Sequence, residues 1–481
     1  MFFRPAITFE RPGTPAPSFI LTDTSSTLDN NAPTTILSRS LDARLKNLQK
    51  SVGEDHPDVV HTLSSLGDAC ITNGDSDEAM QYYTQALDVT KRAFPKGHPQ
   101  VADILCSIGN VSMKLSMFAR SKSNFSAALK IYREAFTDRS WTSSSDGIVQ
   151  QVDYMLHHKT ASALASLGSV AFQEKNYSAA DKLFQDALLD SKRAAVAGVA
   201  LDRIKARGSI VKLSSKAGSS SSLKEARIFV TEMFNNVASV CAERGHKSAA
   251  IKNYNNALAL QMQELGEDHI SVACTLHNIG TMHYRSGEYQ FALKSYKQVL
   301  KMRRYLFGNE DYSIAECLLN IAAVHEKADE VDRGVSALNA AYRITAKHHG
   351  AQCMQCADIQ ACVGSLYART GRDALALEYY EKALATYTRA PQLGLSTSSD
   401  SDDKVKAINY SINLVKNGDE EEETMAGFMS ATEAWSKIFG NGCGSMCIPN
   451  DSHTQVWNDG DIVASSLKLE HDLASPTTVT V

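Results

Sequence analysis

Proline is missing from the middle of this 481-residue chain, because none of its eleven prolines lies between Pro99 and Pro391. A proline inside a helix removes a backbone hydrogen bond and costs about 3 kcal/mol, so its absence permits a long series of uninterrupted helices. Residues 1–37, by contrast, hold five prolines among many serines and threonines. Such a segment buries too little apolar surface to offset the entropy lost on ordering, and we expect it to be disordered.

Long hydrophobic runs and a strong charge excess are absent as well. No run of 18 apolar residues occurs, which argues against a membrane-spanning helix. The first residues resemble no secretory signal, since Arg4, Glu10 and three prolines interrupt them before Ala16. The formal net charge of −5 is mild and argues against nucleic acid as the main partner. A cytoplasmic protein that binds neither membranes nor nucleic acid is the simplest expectation.

Catalytic motifs are also lacking: there is no phosphate-binding glycine loop, no HExxH and no GxSxG. We therefore expect a protein that is not an enzyme and needs no cofactor. The best candidate for a metal site comprises His348, His349, Cys353, Cys356 and Cys362, and the pair Cys443 and Cys447 is a weaker one. A CxxC pair can bring two thiolates to one zinc, but the second CxxC of such sites is missing. The sequence favours a structural role for these residues over a metal site, and an enzyme that uses them is the least favoured reading.

A pattern of 42 residues recurs along the chain. Its clearest copy, Leu265–Gly308, has apolar residues at three- and four-residue spacing in two segments separated by Ser286-Gly287. This spacing predicts two helices joined by a tight turn. Gly280 of the first segment returns 42 and 84 residues later as Ala322 and Gly364. Small residues mark places where two helices approach closely, and seven copies predict an all-α solenoid of helical hairpins.

The spacing of the copies predicts the organisation of the chain. Two steps are 59 and 70 residues instead of 42, which places inserts on either side of the third repeat. The predicted segments are a disordered segment at 1–37, a capping helix and linker at 38–59, repeats one and two at 60–135, a loop insert at 136–160, repeat three at 161–194, a basic serine-rich insert at 195–230, repeats four to seven at 231–390, a linker at 391–403, capping helices at 404–440 and a disordered tail at 441–481.

Leu66-Gly67, Ala79, Tyr83 and Ala86 follow the pattern of the tetratricopeptide repeat, which the chain resembles over residues 42–389. Its 42-residue spacing and linkers such as Gly266–His269 are similar to those of the kinesin light chain class. The resemblance implies a right-handed superhelix whose concave groove binds peptides. It also implies a cargo adaptor with kinesin heavy chain as a partner. Residues 1–60, however, show no run of heptads like the one through which kinesin light chains pair with the heavy chain.

Three asparagines share one repeat position on first helices: Asn236, Asn278 and Asn320. The resemblance implies that this position faces the groove and holds a peptide backbone. A carboxamide suits that role because it both donates and accepts hydrogen bonds. The alternative is that these asparagines only tie adjacent helices together.

A row of basic residues shares another position at the end of first helices: Arg285, Lys327 and Arg369, with Lys114 upstream. Such a row would favour a short acidic peptide segment. The alternative is an ordinary charged surface. The tail segment 456–461 contains Trp457 together with Asp459 and Asp461. The resemblance to kinesin light chains implies that such a segment would occupy the groove. The alternative is a disordered tail whose tryptophan has no binding role.

Two readings of function remain open. The first is a non-enzymatic adaptor that binds short acidic peptide segments of a partner protein in the groove. The second is a structural or regulatory scaffold that assembles through its convex face and its ends, without motor association.

Overall fold

The structure is a computed structural model that describes residues 32–95, 97–137, 146–208, 221–389 and 398–417. The chain divides into two compact units between Arg244 and Gly245. The N-terminal unit contains helices α1 (Ala32–Val52), α2 (Pro57–Asn73), α3 (Ser76–Ala93), α4 (Pro99–Lys114), α5 (Phe118–Thr137), α6 (Asp146–Gln173), α7 (Tyr177–Gly208) and α8 (Ser221–Glu243). The C-terminal unit contains α9 (Lys247–Leu265), α10 (Ile270–Arg285), α11 (Tyr289–Phe307), α12 (Tyr312–Lys327), α13 (Val331–His349), α14 (Met354–Ala368), α15 (Asp373–Arg389) and α16 (Ser398–Asn417).

Within each unit, a helix packs chiefly against the helix before it and the helix after it. The N-terminal unit holds the hairpins α2–α3, α4–α5 and α6–α7, and the C-terminal unit holds α10–α11, α12–α13 and α14–α15. Helices α8 and α9 are the two helices of the fourth repeat and lie on either side of the division. This nearest-neighbour arrangement is an all-α helical-hairpin solenoid, and it confirms the predicted fold class.

The linker that precedes a repeat ends in a side chain that caps the following helix. His269 caps α10, because its Nδ1 accepts a hydrogen bond from the backbone N–H of Ser271 at 3.1 Å. His56, His98 and Asp311 accept in the same way from the residue two positions on. Such caps satisfy backbone donors that have no partner inside the helix. The recurrent linker of the sequence therefore serves as a helix start signal.

A glycine of the first helix lies against an aromatic ring of the second helix in five repeats, most closely in four of them and less closely at Gly280 with Tyr296. A Cβ atom added at Gly364 would lie 2.7 Å from Cδ1 of Tyr380, whose side chain is 2 % exposed. The same contact occurs in three further pairs: Gly67 with Tyr83, Gly109 with Phe125, and Gly168 with Phe184. Since no side chain fits in that space, glycine permits the close approach of the two helices that the sequence predicts.

A buried carboxylate ties three successive helices together at one end of the C-terminal unit. Asp358 of α14 is 2 % exposed and accepts a hydrogen bond from the hydroxyl of Tyr387 in α15 at 2.6 Å. The ammonium of Lys404 in α16 lies 3.1 Å from the same carboxylate. The same chemistry recurs in the N-terminal unit with Asp103 of α4, Tyr132 of α5 and Lys159 of α6. Helix α16 therefore packs on α15 as the first helix of a further repeat would, and its capping role stays a prediction.

The two inserts differ from the sequence-based expectation. The loop predicted at 136–160 is helical from Asp146, where α6 begins, and the insert predicted at 195–230 is helical up to Gly208 and again from Ser221. The first insert thus lengthens α6 of repeat three, and the second lengthens α7 of repeat three and α8 of repeat four. Leu156 and Ala195 are fully buried, so the added turns contribute core surface. Residues 138–145 and 209–220 lie outside the described part of the chain.

At the two ends of the chain, one helix boundary differs from the expectation, and several predicted segments lie outside the described residues. Helix α1 begins at Ala32, inside the segment 1–37 that the sequence predicts to be disordered. Helix α16 spans 398–417 and so covers the first of the two capping helices predicted at 404–440. Residues 1–31, the second capping helix and the tail 441–481, with Trp457, lie outside the described residues.

Candidate functional site

The three predicted asparagines occupy equivalent and half-buried places. Asn236 lies on α8 of the N-terminal unit, whereas Asn278 on α10 and Asn320 on α12 belong to the C-terminal unit. Each precedes a buried pair of small or apolar residues, such as Ile279-Gly280. Because a helix turns by ~100° per residue, this register places each carboxamide beside the buried face and still within reach of solvent.

The hydrogen bonds of these carboxamides bear on the two alternatives. Asn320 donates one hydrogen bond to the backbone oxygen of Glu316, at 3.0 Å and within its own helix. Asn236 and Asn278 form no hydrogen bond with any residue that the structure describes. Asn236 lines a crevice of about 10 Å³ with Ser169, Phe172 and Ser239, which is room for about one water molecule. No inter-helix tie by these asparagines is found among the described residues.

The four residues of the basic row differ from one another in their contacts. Arg369 is paired with Glu326 of the preceding repeat, with its Nη1 3.1 Å from a carboxylate that is fully buried. Lys114 donates to the backbone oxygen of Ile71, also one repeat back, at 3.3 Å. These two therefore tie consecutive repeats. Arg285 and Lys327 are exposed at the ends of α10 and α12, and Lys327 has no ion-pair partner in the described part of the chain.

Comparison with known families identifies the repeats. Two sequence models, both described as tetratricopeptide repeat, match four stretches of the chain. One matches residues 37–92 and 229–304, and the other matches residues 160–196 and 356–390. All four stretches coincide with helices of the solenoid. The chain is a tetratricopeptide repeat protein.

Several solved structures are similar to this tetratricopeptide repeat protein, whereas no curated protein matches it in sequence. BtubC (BKLC) from P. vanneervenii is 16% identical over 66% of this chain and 92% of that one, with a TM-score of 0.34. RapI is 14% identical over 69% and 99%, with a TM-score of 0.43. A Podosopora anserina protein with nearly identical TPR-like repeats, of kinesin light chain type, is 12% identical over 61% and 98%, with a TM-score of 0.28.

Membership in the repeat family indicates a general class of function. Solenoids build extended surfaces that bind other proteins, so a tetratricopeptide repeat protein belongs to the class of protein-interaction adaptors. Within the described residues, no helix is long and apolar enough to cross a membrane.

The cysteine cluster of this tetratricopeptide repeat protein is organised around a helix start. Cys353 takes the place of the capping histidine before α14, and its Sγ accepts from the backbone N–H of Cys356 at 3.3 Å. Cys362 is fully buried in the core, and His348 binds the backbone oxygen of Glu310 instead. The described residues contain no group of three or more His, Cys, Asp or Glu side chains placed to hold a metal ion. That the protein binds no zinc stays a prediction.

The cap at Cys353 predicts a pH dependence of stability. A hydrogen bond from the Cys356 thiol lowers the pKa of Cys353 to about 6, and burial opposes that shift. The same bond raises the pKa of Cys356. Because the pKa of Cys353 in the folded protein lies below its ordinary value of 9.0, its ionised form stabilises the fold. This contribution is complete above pH 9 and is lost as the pH falls through 6.

We therefore expect the free energy of unfolding of the wild type to fall from pH 9 to pH 6 relative to that of Cys353→Ser. Serine keeps an oxygen that caps the helix but does not titrate in this range. Urea denaturation under reducing conditions, at four pH values between 6 and 9, measures the difference. Parallel pH profiles for the two proteins would contradict the assignment.

Proposed function

We propose that this tetratricopeptide repeat protein is an adaptor that holds a short extended peptide of a partner protein against Asn278 and Asn320. The observation that carries the proposal is the state of these carboxamides. The carboxamide of Asn278 forms no hydrogen bond with a described residue, and that of Asn320 forms one within its own helix. Asparagines that served as ties between helices would have bonds to a neighbouring helix. Carboxamides that reach solvent and still have donor and acceptor groups available are suited to pair with the N–H and C=O groups of a ligand backbone.

Charge supports a preference for acidic peptides in this unit. Lys327, seven residues or about two helical turns beyond Asn320 on α12, is exposed and has no ion-pair partner among the described residues. A carboxylate of the ligand would gain from it without displacing an internal pair. Arg369 is less suited to this role, because Glu326 and Asp329 already engage it. Asn236, on the N-terminal unit, remains part of the predicted series of Asn236, Asn278 and Asn320, which we call the asparagine ladder.

The double substitution Asn278→Ala with Asn320→Ala tests the proposal. Peptides selected from a random twelve-residue phage library on the full chain are synthesised with a fluorophore, and their affinities are measured by fluorescence anisotropy. Each lost backbone pairing costs about 0.5–1.5 kcal/mol, so the double variant should bind about 5- to 150-fold more weakly. Helix content and melting temperature should stay near those of the wild type, because neither side chain bonds to another helix.

Asn253→Ala provides the matched control. Asn253 donates to the backbone oxygen four residues earlier, as Asn320 does, but it lies on the second helix α9. Its loss should leave peptide affinity unchanged. Equal affinity of the wild type and the double variant for every selected peptide would remove Asn278 and Asn320 from the binding site.

A kinesin light chain-like cargo adaptor is the finer form of this proposal, with kinesin heavy chain as its candidate partner. The scaffold without motor association is the competing form. Affinity capture from cell extract with the full chain separates them, because the adaptor reading requires that kinesin heavy chain be recovered. Its absence, with other partners present, would favour the scaffold.

A further inference from the structure

The C-terminal unit contains a cleft of about 390 Å³ between α13, α14 and α15. This volume falls in the range of known ligand sites, about 300–1,000 Å³. The cleft is lined by Asn339, Tyr342, Ile359, Gln360, Val363, Tyr379 and Lys382. On α14, the residue in the ladder register is Cys362, which is buried and lies ~100° around the helix from Val363. The cleft therefore uses a different face of the first helix from the one that carries the asparagines.

Four polar side chains that line the cleft form no hydrogen bonds with the described residues, so their donors and acceptors are available to a ligand. Asn339 and Gln360 are half-buried, and neither carboxamide bonds to any residue the structure describes; the same holds for the hydroxyls of Tyr342 and Tyr379. Two carboxamides supply both donors and acceptors, which is what the backbone of an extended peptide requires. Tyrosine rings add rigid contact area at a low cost in conformational entropy.

The remaining lining residues suggest what side chains such a peptide carries. Ile359 and Val363 are each 1% exposed and form an apolar floor. The ammonium of Lys382 lies 4.9 Å from the ring centroid of Tyr379 and forms an ion pair with Glu378 at 2.6 Å, which is exposed and therefore weak. An ammonium has three donors, so two of them remain for a carboxylate.

We propose that this cleft is a second peptide-binding site of the protein. It takes an extended segment of a partner protein, whose backbone pairs with Asn339 and Gln360. An apolar side chain of the segment packs on Ile359 and Val363, and a carboxylate reaches Lys382. The site is independent of Asn278 and Asn320, and it stands whether or not those residues bind a ligand.

The test uses the full chain and the peptides from the library selection described above. Each peptide is titrated against three proteins. They are the wild type, the cleft variant (Asn339→Ala with Gln360→Ala) and the ladder variant (Asn278→Ala with Asn320→Ala). We expect one group of peptides whose affinity falls about 5- to 150-fold with the cleft variant and less than about twofold with the ladder variant. Lys382→Gln should weaken the acidic members of this group alone. The substituted side chains are half-buried or exposed, and circular dichroism checks that each variant folds.

A photocrosslinking experiment locates the bound peptide directly. Benzoylphenylalanine replaces Tyr379 in one protein and the exposed Tyr305 of α11, outside the cleft lining, in a control. Crosslinks of the cleft group to position 379 but not to position 305 support the proposal. The proposal is overturned if no peptide loses affinity with the cleft variant, or if crosslinks form equally at both positions. Loss of binding with the ladder variant alone would overturn it too, while leaving the proposed function intact.

Discussion

Replacing Asp358 with alanine should lower the free energy of unfolding of the C-terminal unit by about 3–5 kcal/mol, the usual cost of breaking a buried ion pair by removing one partner. The substitution leaves the hydroxyl of Tyr387 and the ammonium of Lys404 without the carboxylate that joins them. Lys404 is only 18% exposed, so water compensates for little of that loss. Since α16 packs on α15, it should detach first. Urea denaturation and amide hydrogen exchange along α16 measure the two effects.

Two further variants make this result specific. Asp403→Ala removes an exposed ion pair with Lys406 on the same helix, and such pairs contribute about 0–1 kcal/mol. Combining Asp358→Leu, Tyr387→Phe and Lys404→Met replaces all three polar groups by apolar ones and should recover most of the lost stability. If Asp358→Ala costs no more than Asp403→Ala, the buried carboxylate does not hold α16 in place.

Gly364→Ala should destabilise the protein by about 1–3 kcal/mol, the usual cost of overpacking a well-packed core. The added methyl group would lie 2.7 Å from Tyr380, a buried ring that cannot move without separating α14 from α15. Alanine is the better helix former by about 1 kcal/mol, so any loss of stability measures the steric conflict. Thermal and urea denaturation of the full chain provide the measurement.

Gly334→Ala is the matched control in the neighbouring helix α13. Its added Cβ would lie 3.2 Å from Cδ1 of Leu366, the end of a flexible side chain that can shift. We expect this variant to be as stable as the wild type, or more stable by up to about 1 kcal/mol. Destabilisation of similar size in both variants would show that loss of any helical glycine is harmful, and that the ring contact is not the cause.

The repeat pattern was readable from the sequence because it depends on residues close together in the chain. Gly364 and Tyr380 are sixteen positions apart in one hairpin, and both types recur at fixed spacing. The tetratricopeptide repeat family and the all-α hairpin solenoid are confirmed on this basis. The inserts were misjudged for a related reason. Their irregular spacing, and in the second insert a basic and serine-rich composition, suggested loops, whereas alanines such as Ala195 and Ala197 favour helix and are buried.

Features that join several helices could not be derived in the same way. The tie from Asp358 to Tyr387 and Lys404 spans three helices, with Lys404 46 residues away. A signal was nevertheless present, because Asp103 and Tyr132 are 29 residues apart, as are Asp358 and Tyr387. The cleft at α13–α15 gave no such signal, since Tyr342, Gln360 and Lys382 have no residue of the same type at the equivalent positions of the other repeats. The asparagine ladder was visible as a pattern, but its hydrogen bonds required coordinates.

The lengthened hairpin of repeat three shows how a chain of this kind acquires new surface. Helices α6 and α7 contain 28 and 32 residues, so the growth of one helix is matched by its antiparallel partner. Because contacts in each unit join mainly consecutive helices, added length at one hairpin leaves the register of the others unchanged. Most contacts also remain local in sequence, a topology that folds quickly for its size. A single hairpin can therefore be lengthened, with its added turns packed on the neighbouring helices, without refolding the rest of the array.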